Sequence, residues 1–400
     1  MASTELRRYL QGLATCIDNL DPRAVGQMLS LRDVHAMKLV QAMQYQDVAH
    51  FARSYFEGSD INLVLAHLNA ALYVSQGKTK EAFDEQLLAV QAWREHIQAE
   101  TIESNWSLHP LNTLITDLRL LAMELDEQLV AAGEKAVALE KAMEEINVCF
   151  RLLAGDRATD RRNSKKRGMI FLVNHLFAIA FKLNNFAFLK SLIRLMERQE
   201  SSIYAMSHQV TYHYYMGRRS MYEANYMQAN EHLSFAAQHC HRSSTSNKRL
   251  ILLHLIPVNL LLGRLPTKDL LQTYNLMQFA QIVDAVKTGN LAVLNDELDK
   301  YQEFFVQWGV FLVLEKVKLL AYRNLFKRVW QIMNHTVIPL SSFLTAMQVA
   351  KEPDVDEDEV EGILANLIHQ KMIKGYIAHG HRKLVLSKEN PFPKLKSTAA

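Results

Sequence analysis

Apolar side chains recur at spacings of three and four along the first three quarters of the chain, the period of an amphipathic helix. The segments Ile61 to Val74, Lys80 to Ala99, Leu111 to Leu153, Gly168 to Leu183, Phe186 to Glu197 and Tyr222 to Cys240 each set an apolar face against a polar one. Gln76-Gly77, Asn184-Asn185 and Ser201-Ser202 separate them as turn signals. Helices of this kind bury their faces most economically as antiparallel pairs stacked side by side.

One pair is legible in detail. Tyr215, Gly217 and Arg218 are expected to close one helix, and Tyr222, Ala224, Tyr226, Ala229, Leu233, Ala236 and Ala237 furnish the next. Alanines at this spacing let two backbones approach, with tyrosines filling the space beside them. The signature is that of helical repeats, although no strict period recurs.

The pattern changes near residue 335, after the apolar stretch Phe304 to Met333. His335 to Leu340 is expected as a short strand, followed by a helix capped by Ser341-Ser342 and running to Val349. A second helix is expected from about Asp356 to Met372. Two alternating segments, Ile373 to Ala378 and Lys383 to Ser387, then pair as a hairpin around Gly380. This is the order of a winged helix. The expected organisation is an extension over 1–204, a helical part over 205–334, a winged helix over 335–393 and a tail over 394–400, extended from Asn390 onward.

Composition fits a helical chain of two or three domain-sized parts: 400 residues, 49% hydrophobic, with only 14 Gly and 8 Pro. The net charge is +3, so attraction to nucleic acid depends on local patches. Cys16, Cys149 and Cys240 fit neither a disulfide framework nor a zinc site, and a reducing compartment is the expectation. No apolar run approaches the roughly 20 residues of a membrane span. Glu5, Arg7 and Arg8 interrupt the start of the chain, which does not have the form of a signal peptide.

Catalytic chemistry finds no motif: there is no Gly-rich phosphate loop, no Gly-x-Ser-x-Gly elbow and no His-Glu-x-x-His helix. No catalytic residue, cofactor or metal is expected. His239-Cys240-His241, with His232 upstream, invites a zinc reading. Adjacent helical residues diverge by about 100°, however, and histidines set beside carbonyls at a helix end are the simpler account. His208 and His213, among Tyr204, Tyr212, Tyr214 and Tyr215, form a polar seam or pack in the core.

Charge is more informative. Lys371, Lys374, Arg382, Lys383, Lys388, Lys394 and Lys396 face a single acid, Glu389, between residues 364 and 400. Lys371, Lys374, Arg382, Lys383 and Lys388 are the candidate nucleic-acid contacts, able to meet phosphates without reading bases. Glu352, Asp354, Asp356, Glu357, Asp358, Glu359 and Glu361 crowd the start of the helix that would enter a major groove, and phosphate repels them. An acidic helix start for a protein partner and a basic wing for nucleic acid is one reading; a solvated charged surface is the other. A second patch, Arg161, Arg162, Lys165, Lys166 and Arg167 on an expected loop, suits an acidic peptide, nucleic acid, nuclear import or no partner at all. Leu384 and Leu386 are the candidate partner interface, on the premise that the hairpin edge is covered.

Several blocks resemble the PCI-domain proteins, which join a TPR-like helical stack to a winged helix. They are Tyr215-Met-Gly-Arg218 with the helix from Tyr226 to Cys240, Lys248 to Leu252, and Leu255-Ile-Pro-Val-Asn-Leu-Leu-Leu-Gly-Arg-Leu-Pro266. Ala285-Val-Lys-Thr-Gly-Asn290, Tyr322-Arg-Asn-Leu-Phe326 and Asn390-Pro-Phe-Pro393 complete the set, over about residues 205 to 393. Pro257 is expected to kink an apolar core helix that Gly263 and Pro266 end.

The resemblance is strongest to the PCI branch found in the second transcription-and-export complex of messenger-RNA export. It implies a non-catalytic scaffold subunit in the nucleus, at the pore and envelope and partly in the cytoplasm. The implied partners are a large scaffold subunit, a small acidic disordered subunit, nuclear pore components, and RNA or double-stranded DNA bound with weak sequence preference. A place in the proteasome lid, the signalosome or a translation-initiation factor, or a stand-alone winged-helix transcription regulator, are the alternatives.

Overall fold

The computed structural model describes residues 2–33, 36, 39–40, 48–100, 104–350 and 355–394. The chain divides into two compact units, Met1–Tyr212 and His213–Ala400. Both are built from helices, and the second ends in a small three-stranded antiparallel sheet.

In the first unit the helices Ser59–Ser75 and Thr79–Ala99 pair across a turn that needs the left-handed conformation of Gly77 (φ +69°). The periodic stretch from Leu111 to Leu153 is two helices, Leu108–Ala131 and Ala138–Ala154, divided at Gly133 (φ +75°). The pattern alone ran through this break because both helices keep the same apolar period. Buried Asp126, inside the first helix, caps the start of the second, accepting hydrogen bonds from the Ala138 and Leu139 N–H groups at 2.8 and 3.0 Å.

The helix Met206–Tyr222, whose residues from His213 onward belong to the second unit, runs past Gly217, which was expected to help close it. Gly217 serves packing instead: a Cβ there would lie 2.5 Å from Leu233 Cγ on the helix Tyr226–His239. Ala229, Leu233 and Ala236 are buried along that contact. Pro257 lies inside the buried helix Thr245–Leu261, and Gly263 (φ +76°) follows its end. Asn230 donates to Asn259 Oδ1 at 2.7 Å and accepts from Arg264 Nη1 at 3.1 Å, tying the exit of this helix to its neighbour.

The helix Ala280–Thr288 ends at Gly289, whose φ of +70° favours glycine. An added Cβ would also meet Leu325 N at 2.5 Å, so the turn lies directly on the backbone of the long helix Phe311–Met333. Asn324 Nδ2 completes the junction by donating to the Val286 carbonyl at 2.8 Å. Two of the motif blocks are thus the two sides of one contact.

The long helix belongs to two cores. Val313, Leu314, Val317, Leu320 and Ala321 pack into the helical part, while Phe326 and Val329 pack among Ile338, Phe343, Val360, Leu364, Leu384 and Leu386 of the winged helix. The winged helix comprises strand β1 (Val337–Pro339), helices Leu340–Val349 and Glu357–His369, strand β2 (Gly375–Ala378) and strand β3 (Lys383–Leu386). The strand order is β1-β3-β2, so β3 is central. The first of these helices starts at Leu340 without a side-chain cap; Ser341 and Ser342 lie within its first turn rather than at its end.

The segment from Asn390 to Pro393 is held by contacts rather than being a loose extended end, and residues 395–400 of the expected tail lie outside the described residues. Phe392 is buried against Trp330, with ring centroids 5.6 Å apart. Buried Arg323 donates to the Met372 carbonyl at 3.2 Å and to the Pro393 carbonyl at 2.6 Å, bridging the hairpin entry and the segment after it. Burial pulls its guanidinium below the ordinary arginine range.

Candidate nucleic-acid and partner interface

The helix Glu357–His369 begins on Asp356, whose Oδ1 accepts from the Glu359 N–H at 2.8 Å. Glu357, Asp358 and Glu359 occupy its first turn, where the positive end of the helix dipole favours them. Val360, Leu364 and Leu367 fix the opposite face in the core.

β2 and β3 are joined by a short turn in which Arg382, rather than Gly380, takes the left-handed conformation (φ +50°). That geometry aims Arg382 at the acidic helix start: Nη1 lies 2.6 Å from Glu357 Oε2, and Nη2 lies 3.8 Å from Asp358 Oδ1. His379 Nδ1 stands 2.9 Å from Glu361 Oε1. The acidic turn and the tip of the wing, which the sequence presents as two surfaces, are one charge-paired surface.

The remaining wing candidates differ from Arg382. Lys371, Lys374, Lys383 and Lys388 are exposed and form no ion pair with a described residue. Lys394 is exposed beyond them, whereas Lys396, Glu352 and Asp354 lie outside the described residues.

Leu384 and Leu386 cannot form a partner interface in this fold. They are 0% and 3% exposed, on the central strand, and point into the core. Both edges of β3 are already paired, to β1 and to β2. A two-stranded hairpin would leave β3 an open edge; β1 covers it.

The second basic patch divides in the same way. Lys165 belongs to the first unit's interior, with Nζ 2.8 Å from Glu100 Oε2 and donating to the Ile97 carbonyl at 3.0 Å. Arg161 pairs with Glu200 at 2.5 Å, and the Arg162 carbonyl accepts from Asn105. Lys166 and Arg167 are half-buried in a 3-10 helix, Lys165–Gly168, where a loop was expected.

His239, His213 and His232 engage neighbouring groups of their own helices or of each other. His239 Nδ1 lies 2.9 Å from the Phe235 carbonyl at its helix end, and the His213 and His232 Nδ1 atoms are 2.9 Å apart. Burial, then the neighbouring His232 and His239, pushes His213 down to about 4. Among the described residues no cluster of three His, Cys, Asp or Glu is placed to hold a metal ion, and no helix is long and apolar enough to cross a membrane. Cys16, Cys149 and Cys240 are unbridged.

The end of the long helix also borders an apolar groove. Leu325, Val329, Ile332, Met333, Ala346 and Val349 line about 480 Å³ of open space between the end of the long helix and the helix Leu340–Val349. Ile332 is 81% and Val349 79% exposed. Periodicity placed these residues in helices but gave no sign of which face each helix leaves uncovered.

A helical stack that shares its last helix with a winged helix is the architecture the motif blocks implied, and a PCI domain matches residues 298–388. The chain is also 42% identical to PCI domain-containing protein 2 of Danio rerio over 400 residues, covering 99% of this chain and 100% of that protein. The chain belongs to the PCI-domain family. It is 38% identical over 396 residues to the PCI domain-containing protein 2 homolog of Drosophila melanogaster, covering 97% and 98% of the two chains. Protein CSN12 homolog of Neurospora crassa is 32% identical over 372 residues, covering 83% and 81%. PCI-domain proteins are in general non-catalytic scaffold subunits, and the shared long helix gives this one a continuous support for its winged helix.

Proposed function

We propose that this chain is a non-catalytic adaptor subunit of a nuclear messenger-RNA export complex that couples transcription to the nuclear pore. In this reading it holds a large scaffold subunit and a small acidic disordered subunit, and it contacts RNA or DNA through the winged helix. It works in the nucleus, at the pore and envelope, with a cytoplasmic fraction. No bond is made or broken; the chain acts by adhesion and positioning.

The observation that carries the nucleic-acid part is the set of exposed cations Lys371, Lys374, Lys383 and Lys388 on one small module, none of them ion-paired with a described residue. Such side chains meet phosphate with little sequence preference, and the acidic start of Glu357–His369 opposes insertion of that helix into a duplex groove. The open apolar groove at Ile332 and Val349 replaces Leu384 and Leu386 as the surface offered to the scaffold subunit, since patches of this kind mark interaction sites.

Affinity purification of the tagged chain in moderate salt, with mass spectrometry of the bound proteins, tests the assignment. Recovery of a large scaffold, a small acidic subunit and pore components supports it. Recovery of proteasome-lid, signalosome or initiation-factor subunits instead would overturn the export reading and leave the family untouched.

A further inference from the structure

Side chains alternate between the two faces of a strand, so the register of the sheet fixes which residues share a face. Ile338, Leu384 and Leu386 turn inward. On the outer face, Val337, Val385 and Tyr376 stand opposite one another in a row across β1, β3 and β2. Pro339, Lys383 and Ala378 form the adjoining row. The Ser387 N–H donates to the Lys374 carbonyl at 2.9 Å, which carries the pairing one step further and sets Lys374 on the same face, two positions before Tyr376.

This face is open. Tyr376 is 62% and Val337 47% exposed, and Lys374 and Lys383 are exposed on either side of the apolar row. No acidic residue occupies either row or the Lys374 position. Apart from Glu389, which follows Ser387, the described acids of the module gather at the start of the helix Glu357–His369, where they pair with Arg382; Lys374 and Lys383 form no ion pair with a described residue.

An apolar row alone would suit a protein. A planar ring between two cations suits a polyanion that also carries flat, unstacked groups. Sheet faces hold unpaired bases in this way, with the ring against the base and the cations on the phosphates. A duplex keeps its bases stacked inside and has nothing to offer the ring.

We propose that the outer face of the sheet binds single-stranded nucleic acid, with one unpaired base stacked on Tyr376 and the flanking phosphates on Lys374 and Lys383. The inference rests on the nucleic-acid part of the proposed function and narrows it from either strand state to single strands.

Fluorescence anisotropy of the full chain with a labelled oligouridine, and with a duplex of matched length, tests it. Tyr376→Ala should weaken oligouridine binding about tenfold with an unchanged salt slope, and Tyr376→Phe should keep wild-type affinity. Lys374→Glu and Lys383→Glu should each weaken binding and lower the salt slope by about one. Because the ring is largely in solvent, Tyr376→Ala should unfold at the wild-type temperature.

Wild-type affinity in Tyr376→Ala, with binding still dependent on the lysines, would overturn the stacking site alone. Tighter binding of the duplex than of oligouridine would overturn the preference for single strands. Failure of the wild-type chain to bind either probe would bring down the underlying nucleic-acid reading as well. Should Tyr376→Ala release a co-purifying protein while oligouridine affinity holds, the face belongs to a protein partner and the proposal fails.

Discussion

Arg382 Nη1 lies 2.6 Å from Glu357 Oε2, so the wing of the module is tied by charge to the first turn of its own second helix. A cation engaged in this way must exchange an internal carboxylate for a phosphate before it contributes to binding. Its neighbours Lys374 and Lys383 form no ion pair with a described residue and have no such exchange to make there.

Binding measurements should rank these residues in an order that charge counting does not give. Arg382→Ala is expected to change nucleic-acid affinity less than twofold to threefold, and Lys383→Ala considerably more. Glu357→Gln should raise affinity severalfold at low salt by freeing the guanidinium. Equal losses from Arg382→Ala and Lys383→Ala would show that the Glu357 pairing does not restrain the wing.

Leu384→Asp should unfold the winged helix instead of detaching a partner from it. A carboxylate at a site with no exposure, surrounded by Ile338, Phe343, Leu364 and Leu386, is expected to cost more than about 4 kcal/mol. Val385→Asp, one residue along on the outer face, should leave the near-ultraviolet circular dichroism of the module intact. Native spectra and wild-type melting for Leu384→Asp would contradict the inward orientation of the strand.

Arg323→Lys should loosen the C-terminal segment, because an ammonium cannot span the Met372 and Pro393 carbonyls as the guanidinium does. A destabilisation of about 2–3 kcal/mol is expected in urea, with faster carboxypeptidase trimming past Phe392. Phe392→Ala should show the same trimming, since its ring is buried on Trp330. Unaltered trimming in both variants would mean that the segment is not held by these contacts.

Stability should fall as pH drops below about 6.5. Burial, followed by the charge of Arg218, pushes His254 down to about 3 from its ordinary 6.5, and His213 is pushed to about 4. In both cases the unfolded chain takes up the proton first. The stability these groups contribute is complete above pH 6.5 and is lost progressively toward pH 4 for His213 and toward pH 3 for His254, at no more than about 1.4 kcal/mol per pH unit for each. His213, partly open to solvent, contributes less. Urea midpoints at several pH values should show a shallower decline in His254→Gln than in wild type, and parallel curves would remove His254 from the acid response.

Local pattern was sufficient for much of the fold. The apolar period located the helices from Ser59 through His239 with boundary differences of a few residues, and alternation located both strands of the hairpin. It failed where two helices share one period, at Gly133, and where a distant strand, β1, covers an edge that the hairpin alone leaves open. Arg323 carried no signal of its role, because its partners lie 49 and 70 residues away. Tyr376 falls within the alternating segment Ile373 to Ala378, but its outward position between Lys374 and Lys383 required the register.

The sequence by itself determined the helical class, the change to a winged helix near residue 335, and the family, because each depends on spacing along the chain or on motif blocks read in order. Only the tertiary structure decided which charges are spent and which remain available. Arg382 is paired to Glu357, 25 residues away, and Lys165 to Glu100, 65 residues away, while Lys374 and Lys383 face outward on adjacent strands. A charge's availability is set by what the folded chain brings within a few ångströms of it, and that distance is not written in the local pattern.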